Sequence, residues 1–229
     1  MHIGILIFPA VTQLDATGPA QVLCRAPGAT LHMVWKTLDP VKTDAGFSIV
    51  PTTTFKDCPQ LDVICVPGGA GQIDLMNDAE TLAFVARQGA SARYVTSVCT
   101  GSLVLGAAGL LKGYKSACHW ASRDLLSAFG AIPVAERVVH DRNRFSGGGV
   151  TAGIDFGLTL LAELAGEEVA KSVQLGLEYD PQPPFQSGSP EKAGPERTAK
   201  VRAQVEQMIA RRQKANATAA ARLGEAVNS

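Results

Sequence analysis

The sequence predicts an α/β sandwich built on a mostly parallel sheet, and three observations carry that reading. Short apolar, β-branched runs alternate with stretches of helical periodicity along most of the chain, the pattern of strands buried on both faces with helices between them. The 229 residues, 46% hydrophobic and 18% charged, suffice for one sizeable domain with an appendage and exclude disorder throughout. A cysteine, Cys99, stands between Ser97 and Gly101 where a strand gives way to a helix. That small-x-nucleophile-x-small spacing is the pattern of a nucleophile elbow.

Taken in order, residues 2–8 read as the first buried strand, because the run is apolar, meets Pro9 and lacks the basic leader and cleavage site of a signal peptide. Residues 14–25 carry apolar side chains at helical spacing. Residues 31–35, 62–66 and 94–98 repeat the strand pattern. Asn77 or Asp78 caps a helix running to about Gln88, and Gly109 closes a helix over 101–108. Residues 41–54 around Gly46, and 137–145 around Asp141-Arg142-Asn143, predict two small hairpins that decorate the sheet. Helices over 154–164 and 168–177 follow, broken near Gly166. Prolines and glycines from Asp180 to about Pro195 exclude a helix or a central strand there. Residues 198–222 then form an amphipathic helix with Val201, Val205, Met208 and Ile209 on one side, expected to pack across a dimer. The division is a catalytic domain over 1–190 and a Pro-rich arm with a C-terminal helix over 191–229.

Charge and cysteine usage remove several function classes. Lys+Arg 21 against Asp+Glu 21 leaves a net charge of zero, which argues against charge-driven binding of nucleic acid or an anionic membrane. The tail from Glu191 onward, with eight basic and four acidic residues, is locally +4. No apolar run approaches the roughly 20 residues of a membrane-crossing helix. Five cysteines, odd in number and without a Cys-x-x-Cys pair, predict neither a disulfide framework nor a zinc knuckle, and fit a reduced, cytoplasmic compartment. Four histidines, none at i, i+4 spacing, give no support to a metal site.

The chemistry is expected at Cys99. A sulfur at a helix N-terminus meets free N–H groups and the positive end of the dipole, which predicts a lowered thiol pKa. The other four cysteines read as small buried hydrophobes. The turn also lies beyond the C-terminal end of a parallel strand, where open α/β sheets place ligands. A second turn, Val66-Pro67-Gly68-Gly69, can bring a bare N–H towards the cysteine and, with the Thr100 N–H, form an oxyanion-type pocket. A third, Gly147-Gly148-Gly149-Val150, allows another backbone segment to approach the sulfur. His119, beside Trp120, and Asp15 are the candidates for general acid or base. Asp15 is the better placed, since it follows the first strand and reaches the same sheet edge as Cys99.

At this point the residues carry a resemblance. Gln13 through Pro19, residues 61–69 and 94–112, His119-Trp120, residues 147–160 and 177–185 together resemble the ThiJ/PfpI superfamily over nearly all of 1–190. The resemblance implies a flavodoxin-like three-layer sandwich and a homodimer that needs neither cofactor nor metal. It further implies Cys99 as nucleophile, Asp15 as general acid/base and Thr100 as its polar neighbour, with Gly69, Gly148 and Val150 against the substrate. Thr100 stands where peptidase-like members place a histidine, which counts against proteolysis. Asp15 stands where many relatives carry glutamate, a feature of the isocyanide-hydrating branch. The activity implied is hydration of a small isocyanide to an N-substituted formamide through a cysteine thioimidate. Two other readings share the motif. Val98 through Gly101 and His119-Trp120 also resemble the amidase-like, ligand-sensing domains of AraC-type regulators, although the Ala-rich tail is too short for a double helix-turn-helix. A stress-response protein would use the same cysteine through oxidation to a sulfinic acid.

Overall fold

In a computed structural model, which describes residues 1–228 with side chains to Glu225, the apolar runs become the strands of one sheet. The chain runs β1 (His2–Leu6), α1 (Gln13–Leu23), β2 (Thr30–Trp35), β3 (Val41–Lys42), β4 (Ser48–Ile49), β5 (Thr53–Thr54) and β6 (Val63–Val66). It continues through α2 (Gln72–Leu75), α3 (Ala79–Ser91), β7 (Tyr94–Val98), α4 (Gly101–Ala107), β8 (Lys115–Ser116), a 3-10 stretch (Arg123–Phe129) and β9 (Ile132–Pro133). Then come β10 (Val138–Asp141), β11 (Arg144–Gly147), α5 (Ala152–Ala165), α6 (Glu167–Gly176), α7 (Pro190–Ala193), α8 (Pro195–Gln204) and α9 (Glu206–Asn228). Seven strands pair in the order β10-β11-β7-β6-β1-β2-β5. Every pair is parallel except β10 with β11.

Side chains on a strand alternate between faces, and that alternation divides the core in two. Ile3, Ile5, Ile7, Val63 and Cys65 pack beneath α1, α5 and α6 with Val22, Phe156 and Leu160. Leu6, Phe8, Ile64, Val66 and Val95 face the other way, towards Phe84, Leu103, Val104 and Ala219 of α3, α4 and α9. Helix α1 lies very close to α5: a Cβ on Gly153 would fall 2.9 Å from Pro19 Cδ, and one on Gly157 3.1 Å from Val22 Cβ. Only glycine permits that approach, and the first turn of α1 is thereby fixed over the sheet edge.

Several sequence expectations are adjusted. β3 and β4 form the small antiparallel hairpin, but Thr53–Thr54 leave it and pair in parallel with β2. The 137–145 hairpin does not decorate the sheet. Its second strand, β11, is buried throughout and pairs in parallel with β7, so it widens the main sheet and satisfies hydrogen bonds on both edges. Of the two proposed caps, Asp78 serves α3, accepting from Thr81 N at 3.2 Å. The tail helix is broken at Val205 into α8 and α9. Helix α9 buries Ile209, Arg212, Asn216 and Ala219, a stripe of helical spacing, against α2, α4 and the 3-10 stretch of its own chain. Among the described residues no helix is long and apolar enough to cross a membrane.

Candidate active site

Between the last residue of β7 and the first of α4 stand only Cys99 and Thr100. Cys99 has φ +55°, a conformation that costs a non-glycine residue of order 1–3 kcal/mol. The surroundings hold it there. Cys99 N donates to Gly147 O at 2.9 Å, and Cys99 O accepts from Ser102 Oγ at 3.2 Å. Gly101 lets α4 start directly against the end of β6, since a Cβ there would lie 1.9 Å from Val66 O. The cysteine is 5% exposed.

Facing it is Asp15, in the first turn of α1 and completely buried. Gly68 N donates to its Oδ2 at 2.9 Å. Oδ1 has no well-formed partner within the protein, and the Cys99 thiol interacts with this carboxylate. The glycine turn is obligatory: a Cβ on Gly68 would lie 2.6 Å from both Thr100 N and Thr100 Oγ1, and 2.9 Å from Asp15 Oδ2. The neighbouring Gly69 N donates to Thr100 Oγ1 at 3.3 Å.

Electrostatics follow from that burial. Loss of water raises Asp15 from the usual carboxylate range to about 7, against the hydrogen bond from Gly68 and the nearby Cys99 thiol, with the charge of Asp44 adding to the rise. The Cys99 thiol is likewise pushed well above its ordinary value, first by burial and then by Asp15 and Cys118. The Thr100 N–H and the Arg212 guanidinium pull it down. This reverses the expectation of a lowered thiol pKa. Helix α4 has only seven residues, and desolvation of the anion outweighs its N-terminus.

Cys99, Asp15, Thr100 and Gly69 thus converge. From the third glycine turn it is Gly147 that touches the cysteine backbone. Gly148 N turns away to donate to Arg137 O at 2.8 Å, and Val150 packs against the apolar core under α1 and α5. His119 fastens a local turn: its Nδ1 accepts from Ala121 N at 3.3 Å, its ring lies beside Trp120, and burial and Arg212 favour its neutral form. Sequence reasoning passed over Arg212, although an arginine at the helical spacing of Ile209, Asn216 and Ala219 was the available signal. All five cysteines are free. Among the described residues no group of three His, Cys, Asp or Glu is placed to hold a metal ion.

With the geometry established, comparison with known proteins gives consistent results. The family model described as DJ-1/PfpI family matches residues 1–163. A protein named isonitrile hydratase from Pseudomonas putida is 62% identical over 193 residues, covering 84% of this chain and 85% of its own length. The HTH-type transcriptional regulator GbdR of Pseudomonas aeruginosa is 31% identical over 78% of this chain, which spans 50% of that regulator. Among solved structures, a ThiJ/PfpI family protein from Pseudomonas syringae superposes with a TM-score of 0.88 at 50% identity, covering 96% of this chain and 90% of the other.

Proposed function

This chain belongs to the DJ-1/PfpI family, and on that footing we propose that it is an isocyanide hydratase, with Cys99 as nucleophile and Asp15 as general acid and base. The observation that carries the reading is the meeting of a thiol and a carboxyl group in one buried place. An isocyanide carbon takes a nucleophile and a proton at the same atom, so the two groups must converge on one point. The likeness to the Pseudomonas putida protein named isonitrile hydratase supports the same assignment.

Asp15, near 7, first accepts the thiol proton, which leaves thiolate beside carboxylic acid. The sulfur then bonds to the isocyanide carbon while Asp15 returns that proton to the same carbon, giving a thioimidate. The carboxylate next takes a proton from water as its oxygen bonds to the carbon, and that proton passes to the nitrogen. Collapse of the adduct breaks the C–S bond, and the hydroxyl proton goes to Asp15. An N-substituted formamide leaves, and the thiolate and carboxylic acid are restored. Thr100 supports the sulfur through its N–H and the Gly68-Gly69 turn through its Oγ1. Gly69 borders the substrate beside Thr100, and the assignment of Gly148 and Val150 to it rests on the family resemblance alone.

In this reading residues 1–190 are the catalytic unit, 191–229 lie against it as arm and helix, and the protein is a cytoplasmic homodimer. Free cysteines favour the compartment, and the exposed Leu175 and Phe185 offer apolar surface to a second copy. The test is formamide production from an aryl isocyanide by the purified protein and by Cys99→Ala. Turnover by the wild type that vanishes in the variant is expected. An inert wild type whose Cys99 still reacts with thiol reagents would move ligand sensing or stress response ahead.

A further inference from the structure

Helix α9 carries a charge that the fold alone does not explain. Arg212 is 3% exposed. Its Nε donates to Gln72 Oε1 at 2.9 Å and its NH1 to Ser122 Oγ at 3.0 Å, both neutral acceptors. It takes part in none of the ion pairs found among the described residues. A buried cation without an anion is costly, and apolar side chains would fill the same stripe. Gln72 follows the glycine turn of the site, and Ser122 follows Cys118, whose thiol acts on that of Cys99. Gln72 stands three residues after Gly69, and Ser122 three after His119. Helix α9 itself packs on α4, which begins two residues after Cys99.

We propose that Arg212, delivered from the C-terminal helix, is the buried counter-charge that holds the Cys99 thiolate during turnover. The inference rests on Cys99 being the nucleophile. The titratable and charged groups facing the sulfur are Asp15 from α1, Cys118 from the segment after β8 and Arg212 from α9, with Arg123 of the 3-10 stretch and His119 next to Cys118. Arg123 and Arg212 are cations, and His119 is held neutral. Cys118 stays protonated at neutral pH because burial raises it to about 11. Of the two thiols within the reach of Arg212, Cys99 is the one that adjoins a carboxylate able to take its proton, so it is the one that becomes an anion. Arg212 forms no hydrogen bond to the sulfur and acts as a positioning residue through its charge.

The test is the pH dependence of Cys99 alkylation by iodoacetamide, followed by peptide mass so that the exposed Cys24 is scored separately. Arg212→Met and Arg212→Gln are expected to raise the midpoint by about one unit and to slow alkylation about tenfold at pH 7. Arg212→Lys keeps the wild-type midpoint. Removing Arg212 also leaves the buried Gln72 and Ser122 acceptors without their donor, so the melting temperature falls whatever the role, and the midpoint separates the two. Ile209→Ala, on the same stripe, lowers the melting temperature without moving the midpoint. Folded Met and Gln variants with the wild-type midpoint overturn the proposal. If neither folds, Arg212→Leu is read in the same way: a raised midpoint supports the counter-charge, and the wild-type midpoint overturns it. Alkylation needs no isocyanide, so a shifted midpoint in a protein inert to isocyanides would contradict the proposed reaction and leave this inference standing.

Discussion

The two faces of the sheet each bring one buried, unpaired charge to the same strand end. From the α1 side comes Asp15, a carboxyl group steadied by the single N–H of Gly68. From the α9 side comes Arg212, a guanidinium resting on Gln72 and Ser122. They make no ion pair with each other. Had they paired, the carboxylate would have been held low and unable to take a proton near neutral pH. Kept apart, the acid is free to move protons and the cation to steady the sulfur, as proposed above. The acid arrives early in the chain on a helix pinned by glycine contacts, whereas the cation arrives last on a helix beyond the family-matched residues 1–163.

That division can be broken in graded steps. Cys99→Ala removes the group both faces serve, and formamide production should fall to background in a product assay while the fold is kept. Asp15→Asn, which breaks the acid side, should lower kcat about a hundred- to ten-thousandfold. It should also change stability in a direction fixed by linkage. The native state holds a proton on Asp15, raised from 3.8 to about 7, that the unfolded chain gives up earlier. The stability from this group is present below pH 4 and lost as pH rises through 7. Thermal melts should therefore show Asp15→Asn more stable than wild type at pH 8 and equal to it below pH 4.

Gly68→Ala strikes the join between the two sides. Its Cβ would meet Thr100 N at 2.6 Å, so the turn must shift. A loss of about 1–3 kcal/mol in denaturant melts should accompany a fall in kcat. The smallest effect belongs to Thr100→Val. It removes the acceptor for Gly69 N at 3.3 Å and should cost about 1 kcal/mol of transition-state stabilisation, or roughly fivefold in kcat/KM.

How much of this was legible in the sequence follows the same two-sided pattern. Cys99 and the Gly68-Gly69 turn announce themselves because each follows directly on a strand, where local spacing dictates the turn, and Asp15 because it opens the helix after β1. Parallel pairing then brings strand ends together without further information. The sign of the thiol shift was not legible, since it depends on how much water the surrounding side chains remove. Nor was the fate of Thr53–Thr54 or of β11, because edge pairing is decided by which neighbour lacks a partner. Arg212 escaped for a related reason. One arginine in an Ala- and Arg-rich tail looks like its exposed neighbour Arg211 until the docking of α9 separates them.

The most direct test of a thiolate and an acid acting on one carbon is rapid-quench intact mass spectrometry of wild type and Asp15→Asn mixed with an aryl isocyanide. The account predicts a transient adduct on Cys99 in wild type and none in Asp15→Asn, because without the proton the carbon cannot be captured. An adduct that accumulates in Asp15→Asn would contradict it and leave Asp15 only the later step of activating water.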